Sequence, residues 1–283
     1  MYNNLMDKQH KTIFLDIDGT LVGDKGTVPN SAKAAILKVK ENGHKVILCT
    51  GRTLDEIYPP ILEIGFDGII ACGGNYVVAN DKVLYERYFS LEDLKHIYDY
   101  FENNGINFYA EAISGIYASP NCDQQLYELA SEIAKVQGEH FMEHFNVFRN
   151  VMKQNQNLLR SDVTKISFLG SNHSIEDLKE EYKDRFEIFD LVVPMFGANS
   201  GEISIKGTDK TVGMEIMINH FDLIEENSIA IGDGNNDITM LKKAAIGVAM
   251  GNATEKLKAI ADMISDDVDN DGLANALERL DLF

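Results

Sequence analysis

The chain has 283 residues, of which 45% are hydrophobic and 25% charged, an ordinary composition for a globular protein of one large or two smaller domains. Acidic residues outnumber basic ones by 45 to 26, which gives a formal charge of −19. Such a charge disfavours non-specific binding to nucleic acid, which depends on basic residues, and attraction to anionic membranes. We therefore expect neither nucleic acid nor a membrane as a partner.

The sequence also bears on where the protein works. No stretch reaches the roughly 18 apolar residues of a membrane span, and residues 1–11 lack the apolar segment of a signal peptide. Cys49, Cys72 and Cys122 form no CxxC pair, and the first two adjoin apolar runs, so we expect buried free thiols. These features predict a cytoplasmic protein. They do not bear on its oligomeric state, for which a monomer and a small homo-oligomer both stay open.

In the first part of the chain, buried strands alternate with helices. The apolar runs predict strands at 12–17, Lys45–Cys49 and Gly68–Ala71. A helix capped by Asn30 or Ser31 and stopped by Gly43 joins the first two strands. Another begins near Thr53 and is disturbed by Pro59 and Pro60. This alternation predicts βαβ units and a parallel sheet.

The rhythm changes after the third strand, and a mixture of hairpins and helices follows. The predicted elements are a hairpin at Tyr76–Tyr85, strands at Ile106–Ala110, Gly115–Ser119, Thr164–Leu169, 186–193 and 201–205, and helices at Leu91–Asn103, Asp123–Gln137, parts of 140–160 and Ser174–Asp184. This mixture predicts a separate α+β domain inserted into the first.

The parallel pattern then resumes. It predicts a helix at Lys210–His220, a strand at Ser228–Ile231, a short strand at Ile246–Ala249 and closing helices.

The first predicted strand leads into two carboxylates. The stretch Ile13–Val22 reads IFLDIDGTLV, with Asp16 and Asp18 two residues apart. Residues at this spacing on a strand share a face, so both side chains would project from its carboxyl end, where open α/β sheets bind ligands. Two close carboxylates repel unless a cation or a shared proton intervenes. The pair therefore indicates a divalent metal or an acid–base couple, although an acidic turn would look similar.

Further polar residues occupy equivalent positions along the chain. Thr50 directly follows the second strand, Asp233 and Asp237 follow the Ser228–Ile231 strand, and Lys210 begins a helix. A parallel sheet would gather the strand-end residues at one edge. Together they offer a nucleophile, a proton-transferring carboxyl, phosphate-binding groups and metal ligands, a coherent set for phosphoryl transfer.

These motifs resemble those of the haloacid dehalogenase superfamily, and the chain looks most like its Cof-type phosphatases. DIDGT at Asp16–Thr20 and GDGNND at Gly232–Asp237 carry the resemblance, supported by Thr50–Arg52 and the segment Lys206–Lys210. The resemblance implies an α/β fold: a Rossmann-like parallel-sheet core from residues 1–83 and 204–283, with an inserted α+β cap domain at 84–203. The cap would close over the crevice and select the substrate.

The resemblance also implies roles for individual residues. Asp16 would attack phosphorus and become an aspartyl-phosphate, while Asp18 would protonate the leaving alcohol and then activate water. Thr50 and Lys210 would hold the phosphoryl group. Mg²⁺ would be bound by the Asp16 carboxylate, the Asp18 backbone carbonyl and Asp233.

Four residues around these are expected to act on the substrate or to support the ligands. Asp237 would orient Lys210 or a metal-bound water. Asn236 and the Gly51–Arg52 pair are candidate phosphate or substrate contacts, and Arg52 could equally form a structural ion pair. The chain departs from the family where Asn-Gly usually follows the third strand, since it has Gly73-Gly74-Asn75 there.

Other functions stay open at this point. The predicted substrate is a small phosphorylated metabolite, of which a sugar phosphate is one class, but a phosphomutase shares the scaffold. A non-catalytic protein that binds phosphometabolites or calcium is a third interpretation, because Asp267–Gly272 with Glu278 fits an EF-hand loop. Against calcium, a helix is expected to begin near Gly272.

His140 and His144 match an HxxEH pattern without an identifiable third zinc ligand.

Overall fold

The computed structural model describes residues 10–23, 26–191 and 194–283. The polar segment 1–9 and the end of the predicted strand 186–193 fall outside these ranges. The chain forms two compact units. The first lies within Met1–Arg52, Ile57–Glu86 and Thr208–Phe283, and the second within Thr53–Glu56 and Arg87–Gly207.

The described residues of the first unit form an eight-stranded sheet. With the strands of both units numbered in chain order, its strands are β1 (Thr12–Leu15), β2 (Lys45–Cys49), β3 (Gly68–Ala71), β4 (Tyr76–Ala79), β5 (Lys82–Glu86), β12 (Ser228–Gly232), β13 (Ile246–Ala249) and β14 (Met263–Ile264). Their order in the sheet is β14-β13-β12-β1-β2-β3-β4-β5. From β14 to β3 all neighbours are parallel, whereas β3, β4 and β5 form an antiparallel edge. The predicted α/β class is therefore confirmed.

Helices connect these strands. They are α1 (Asn30–Glu41), α2 (Pro59–Leu62), α7 (Lys210–His220), α8 (Ile238–Lys243), α9 (Glu255–Lys258) and α10 (Gly272–Arg279). Phe14 faces Ile47 on one neighbouring strand and Ala230 on the other, and all three are buried with Met214 and Met217 of α7. Burial of this apolar layer removes hydrocarbon surface from water and stabilises the sheet.

The strand register determines where the polar residues lie. Leu15, at the end of β1, pairs with Leu48 of β2 and with Ile231 of β12. The three central parallel strands therefore end at nearly the same level. The residues that follow them, Asp16 among them, are gathered at one edge of the sheet.

The second unit contains a six-stranded sheet, within the described residues, of order β10-β11-β9-β6-β7-β8. Its elements are α3 (Leu91–Asn103), β6 (Phe108–Ala112), β7 (Gly115–Ala118), α4 (Cys122–Gln137), α5 (Glu139–Val151), β8 (Met152–Lys153), β9 (Val163–Phe168), α6 (Ile175–Tyr182), β10 (Phe186–Asp190) and β11 (Gly201–Ile205). Apolar residues of α3 and α6 share one core with the sheet, and those of α4 and α5 share another.

Some predicted boundaries were wrong. β1 ends at Leu15, so Asp16 and Asp18 belong to a turn and not to the strand. Neither Asn30 nor Ser31 caps α1: the helix follows Pro29 without a side-chain cap, and the Ser31 hydroxyl lies 2.5 Å from Asp271 Oδ1. The helix expected near Thr53 is replaced by a short 3₁₀ turn, with α2 beginning at Pro59 because proline suits a first helical turn.

All three cysteines are free and buried, as the sequence predicts. None of the helices in the described ranges combines the length and the apolar character that a bilayer span requires.

Candidate active site

A buried lysine joins two of the predicted site carboxylates. Lys210 is the first residue of α7, and its Nζ lies 2.5 Å from Asp16 Oδ1 and 2.5 Å from Asp237 Oδ1. Lys210 is 2% exposed, Asp16 4% and Asp237 0%, so the three charged groups are withdrawn from water together. A cation at a helix N-terminus is unfavourable on its own. Here two carboxylates compensate it.

Burial perturbs the ionisation of this cluster. It raises the pKa of Asp16 well above its usual value, with a further contribution from Asp237, while Lys210 opposes the rise. Burial lowers the pKa of Lys210, but the two carboxylates more than offset this and leave it above its ordinary value. Lys210 is therefore charged, and its ammonium group is a positive charge held in one place by the two carboxylates.

Asp237 connects Lys210 to the loop after β12. Its second oxygen, Oδ2, accepts the backbone N–H groups of Asp233 and Gly234, each at 3.0 Å. Asp233 itself accepts the Thr20 hydroxyl at 3.2 Å, and burial followed by the Asp237 charge raises its pKa to about 6. Asp237 thus orients Lys210 with one oxygen and shapes the Asp233 turn with the other.

Asp18 lies in a different environment from Asp16. Its side chain is 61% exposed and forms an ion pair with Arg52, whose Nη2 lies 2.6 Å from Oδ1 and whose Nε lies 2.9 Å from Oδ2. The Arg52 guanidinium also lies over the Tyr58 ring, 4.9 Å from its centroid. Of the two possibilities open for Arg52, the structure contains the ion pair.

Thr50 is buried at the end of β2. Its hydroxyl accepts the backbone N–H of Arg52 at 3.0 Å, which fixes the turn through Gly51. Its carbonyl accepts the N–H of Gly73 at 3.0 Å, so the loops after β2 and β3 are bonded to each other. Thr50 and Arg52 thereby belong to one ordered turn beside Asp18.

Packing explains why the Gly73-Gly74-Asn75 segment has glycine at position 74. Gly74 has a φ of +103°, and a Cβ there would lie 2.0 Å from the carbonyl oxygen of Asp209, directly before Lys210. Asn75 is buried and donates from Nδ2 to the Cys72 carbonyl at 3.1 Å. The segment supports the start of α7. Asn236, by contrast, is exposed on the 3₁₀ turn that follows Gly234.

Three carboxylates of the site are close enough together to hold a metal ion. In the described part of the chain, Asp16, Asp233 and Asp237 each place an oxygen within 4.8 Å of the others. Such oxygen donors suit a hard divalent cation. Because Lys210 occupies Oδ1 of both Asp16 and Asp237, the set fits a cation held mainly by Asp16 and Asp233. The Asp18 side chain lies outside this group, and its predicted ligand is the backbone carbonyl.

The two alternative metal motifs are not part of this cluster. In the acidic loop, Asp267 accepts the N–H of Asp269 at 3.0 Å, Asp266 pairs with Arg279 at 2.6 Å, and Glu278 lies inside α10. His140 and His144 fall within α5, and their side chains are not among the described ones.

Two contributors were missed from the sequence. Thr20 bonds to Asp233, and Asn252 bonds to the backbone of Gly19. A usable signal existed, because each is a polar residue in the loop that follows a strand of the parallel sheet. Neither was singled out, because a polar residue in a loop does not indicate which distant group it bonds to.

Comparison with known proteins agrees with the geometry. A family profile described as haloacid dehalogenase-like hydrolase matches residues 13–277. The putative phosphatase YkrA of Bacillus subtilis is 26% identical over 276 residues, which cover 96% of this chain and 98% of YkrA. The 5-amino-6-(5-phospho-D-ribitylamino)uracil phosphatase YitU of the same organism is 27% identical, with 97% and 98% covered.

A solved structure extends the similarity to three dimensions. The sugar phosphatase BT4131, of haloacid dehalogenase subclass IIB, is 27% identical, with a TM-score of 0.75 and coverage of 96% of this chain and 100% of that one. The family match extends over most of the chain and includes the DIDGT and GDGNND motifs. The chain therefore belongs to the haloacid dehalogenase-like hydrolases, as one of their phosphatases.

Proposed function

We propose that the chain is a Mg²⁺-dependent phosphatase that hydrolyses a small phosphorylated metabolite, with sugar phosphates as the first class to test, through an aspartyl-phosphate on Asp16. The observation that carries the proposal is the contrast between two carboxylates two residues apart. Asp16 is buried against the Lys210 ammonium, whereas the Asp18 side chain is 61% exposed. A nucleophile and an acid–base catalyst need such different surroundings.

In the first step, a carboxylate oxygen of Asp16 attacks phosphorus, while the Lys210 ammonium stays against the same side chain. The bond from phosphorus to the leaving oxygen breaks, and Asp18 gives its proton to that oxygen. In the second step, Asp18 removes a proton from water, the water oxygen attacks phosphorus, and the Asp16 carboxylate departs. Inorganic phosphate is released, and Asp18 is protonated again.

Other residues support these steps. The Lys210 ammonium offsets charge on the transferring group, and the Thr50 hydroxyl can donate to one of its oxygens. Asp16, Asp233 and the Asp18 carbonyl would hold Mg²⁺, which supplies a positive charge that draws the phosphate dianion towards the carboxylates. Arg52, Gly51 and Asn236 are assigned to the rim of the site.

The second unit is assigned to substrate selection, as a cap comprising about residues 84–203. Its sequence pattern differs from that of the first unit, and its six-stranded sheet is an independent structure. Exchange of this segment for that of a relative with another substrate should change the order of preferred esters. An unchanged order would reject the assignment.

We also place the protein in the cytoplasm, which its free thiols support.

The decisive experiment measures phosphate release from a panel of phosphorylated metabolites, with Mg²⁺ and with EDTA, for the wild type and Asp16→Asn. We expect release only from the wild type with Mg²⁺. Acid-quenched wild type should carry a phosphoryl group on the peptide that contains Asp16. Turnover by a folded Asp16→Asn variant would reject the nucleophile, and isomerised sugar phosphate without free phosphate would indicate a mutase.

Metal binding can be measured without turnover. Mg²⁺ should raise the melting temperature of the wild type, because a ligand that binds only the folded state stabilises it. Asp233→Asn should lose most of this rise, whereas Asp266→Asn, in the acidic loop, should keep it. An equal rise in wild type and Asp233→Asn would place the metal elsewhere.

A further inference from the structure

Asn252 uses both ends of its amide on backbone groups of the first unit. It follows β13, and its Nδ2 donates to the Gly19 carbonyl at 2.7 Å. Its Oδ1 accepts the N–H of Val268 at 3.0 Å. The residue is exposed, so the side chain is not held by burial in a core. Its position comes from these two bonds.

The peptide that Asn252 contacts lies between Asp18 and Thr20. Gly19 has a φ of +74°, and its N–H donates to the Val22 carbonyl at 2.9 Å. A Cβ at Gly19 would lie 2.2 Å from Asp233 Oδ2, so the turn packs directly on the Asp233 carboxylate. The orientation of the Gly19 carbonyl is therefore fixed by Asn252 on one side and by Asp233 on the other.

The segment that carries Asn252 also bonds to the loop of Asp233. The N–H of Met250 donates to the Gly232 carbonyl at 3.0 Å, and the N–H of Thr254 donates to the Asp233 carbonyl at 2.9 Å. The segment Met250–Thr254 thus bonds to the Asp18 turn and to the Asp233 turn together. It determines how far apart these two turns lie.

The acidic loop after β14, around Asp266–Asp269, bonds to the segment Met250–Thr254. Gly251 donates its N–H to the Asp266 carbonyl at 2.9 Å, and Val268 donates to Asn252. Asp269 packs on Gly23, where a Cβ would lie 2.1 Å from Asp269 Oδ1. The loop that resembles an EF-hand in sequence therefore supports the Asp18 turn through these bonds and this contact.

We infer that Asn252 is a positioning residue for Asp18: its bond to the Gly19 carbonyl holds the turn so that the Asp18 carboxyl stays within reach of the leaving oxygen. The inference rests on the proposed function. Most of the Asp18 side chain is exposed, so packing does not fix its place. Arg52 holds the carboxylate group, and the turn held by Asn252 sets the backbone position from which the side chain starts. Proton transfer requires hydrogen-bond distance, so a small displacement of the turn weakens general acid catalysis.

The test compares two leaving groups. An alkyl phosphate needs a proton on its leaving oxygen, whereas p-nitrophenyl phosphate leaves as a stable anion and hardly needs one. The quantity kcat/KM reports the steps up to release of the leaving group, and so excludes hydrolysis of the phosphoenzyme. For Asn252→Ala we expect kcat/KM to fall roughly 10- to 100-fold with the alkyl ester, and by less than about threefold with the aryl ester.

Three further variants sharpen the comparison. Asp18→Asn should also lose far more kcat/KM with the alkyl ester than with the aryl ester. The difference should be larger than in Asn252→Ala, because the proposed acid itself is removed. Asn252→Asp keeps an acceptor for Val268 but cannot donate to Gly19, so it should share the Asn252→Ala pattern. Asn42→Ala removes a similar bond, from Asn42 Nδ2 to the Leu282 carbonyl at 2.9 Å, and should leave both rates unchanged.

The outcomes separate the inference from the proposed function. If the wild type hydrolyses no ester, the proposed function fails. If the wild type is active and the ratio of alkyl to aryl rates is unchanged in both Asn252 variants, only the inference is overturned. Equal losses for both esters would also overturn it, because they would indicate a general structural role.

Discussion

The guanidinium of Arg52 holds the Asp18 carboxylate with two nearly parallel bonds, Nη2 to Oδ1 at 2.6 Å and Nε to Oδ2 at 2.9 Å. Arg52 is two residues beyond Thr50, whose hydroxyl accepts its N–H. The proposed acid–base carboxylate is thus oriented by the same turn that carries the proposed phosphate-binding hydroxyl. A fork-shaped donor suits this task better than a point charge.

Arg52→Lys should therefore lower kcat roughly tenfold, because lysine cannot hold both oxygens of Asp18. The KM should change little. Steady-state kinetics on the preferred ester of the panel measures both constants. A rise in KM with unchanged kcat would instead make Arg52 a substrate contact.

The chain offers a matched control for this change. Arg149 also binds a carboxylate with two bonds, both 2.6 Å long, to Asp123, and lies over the Tyr127 ring at 4.8 Å. Arg149→Lys should lose the same kind of contact in the second unit. Its kcat should stay within about twofold of the wild type.

Lys210→Met should destabilise the first unit as well as abolish turnover. The substitution leaves Asp16 and Asp237 buried without their cation, and breaking a buried ion pair costs about 3–5 kcal/mol. Urea unfolding followed by circular dichroism measures the free energy of unfolding. Lys179→Met, which removes a partly exposed pair with Asp190, should cost at most about 1 kcal/mol. Equal losses in the two variants would contradict the account of the buried cluster.

Gly74→Ala should impair the site without touching a charged residue. Its Cβ would meet the Asp209 carbonyl oxygen at 2.0 Å, and the backbone must shift at the residue before Lys210. Gly73→Ala is the control, since its φ is also positive, at +62°, but no atom lies within 4 Å of a Cβ there. Gly73→Ala carries the strain of about 1–2 kcal/mol for a left-handed residue, and Gly74→Ala, at a φ of +103°, carries at least as much.

The expected difference is a further loss of stability and of kcat in Gly74→Ala alone. Thermal unfolding and turnover of the two variants, measured side by side, test it. Similar values for both would mean that the contact with Asp209 is relieved without moving Lys210.

In the second unit, Glu111 forms a buried polar cluster on β6. Its Oε1 accepts the Ser167 hydroxyl at 2.7 Å, and its Oε2 lies 2.9 Å from Lys165 Nζ, which also contacts Glu202 at 3.2 Å. Burial raises the pKa of Glu111 to about 7; Lys165 opposes the rise, and Glu56 and Glu202 add to it. The folded chain therefore retains a proton that the unfolded chain releases near pH 4.5.

Stability from Glu111 is accordingly complete below about pH 4.5 and is lost as the pH rises towards 7. The slope for one such proton is at most about 1.4 kcal/mol per pH unit. Glu111→Gln should remove this slope, whereas Glu202→Gln should keep it. Hydrogen exchange of β6 and β9 amides at about pH 5 and pH 7, corrected for the intrinsic rate, measures the local free energy. A slope that persists in Glu111→Gln would assign it to another group.

The sequence predicts features that depend on neighbouring residues better than features that depend on residues far apart in the chain. Apolar periodicity is local, and it predicted the bounds of β2, β3, α3, α7 and β13 as the structure has them. The motifs at strand ends pointed to one edge of the sheet because parallel topology gathers them there.

The misses share a different cause. The Ser31 hydroxyl bonds to Asp271 instead of capping its own helix, and Asn252 bonds to Gly19 across the fold. Such pairings depend on which distant residue is nearby, and local pattern carries no information on that. The two-residue strand β14 is too short for any periodicity to be visible.

The position of β1 has a consequence for synthesis on the ribosome. β1 lies between β2 and β12, and Lys210 and Asp16 are separated by 194 residues. The strand β1 (Thr12–Leu15) therefore leaves the ribosome long before its neighbour β12 (Ser228–Gly232) exists, and the whole second unit is translated in between. Because domains fold as they emerge, the inserted unit can be complete while β1, although β2 is available as a neighbour, still exposes the edge that pairs with β12. A chain truncated before β12 keeps this apolar edge exposed, and we expect it to aggregate.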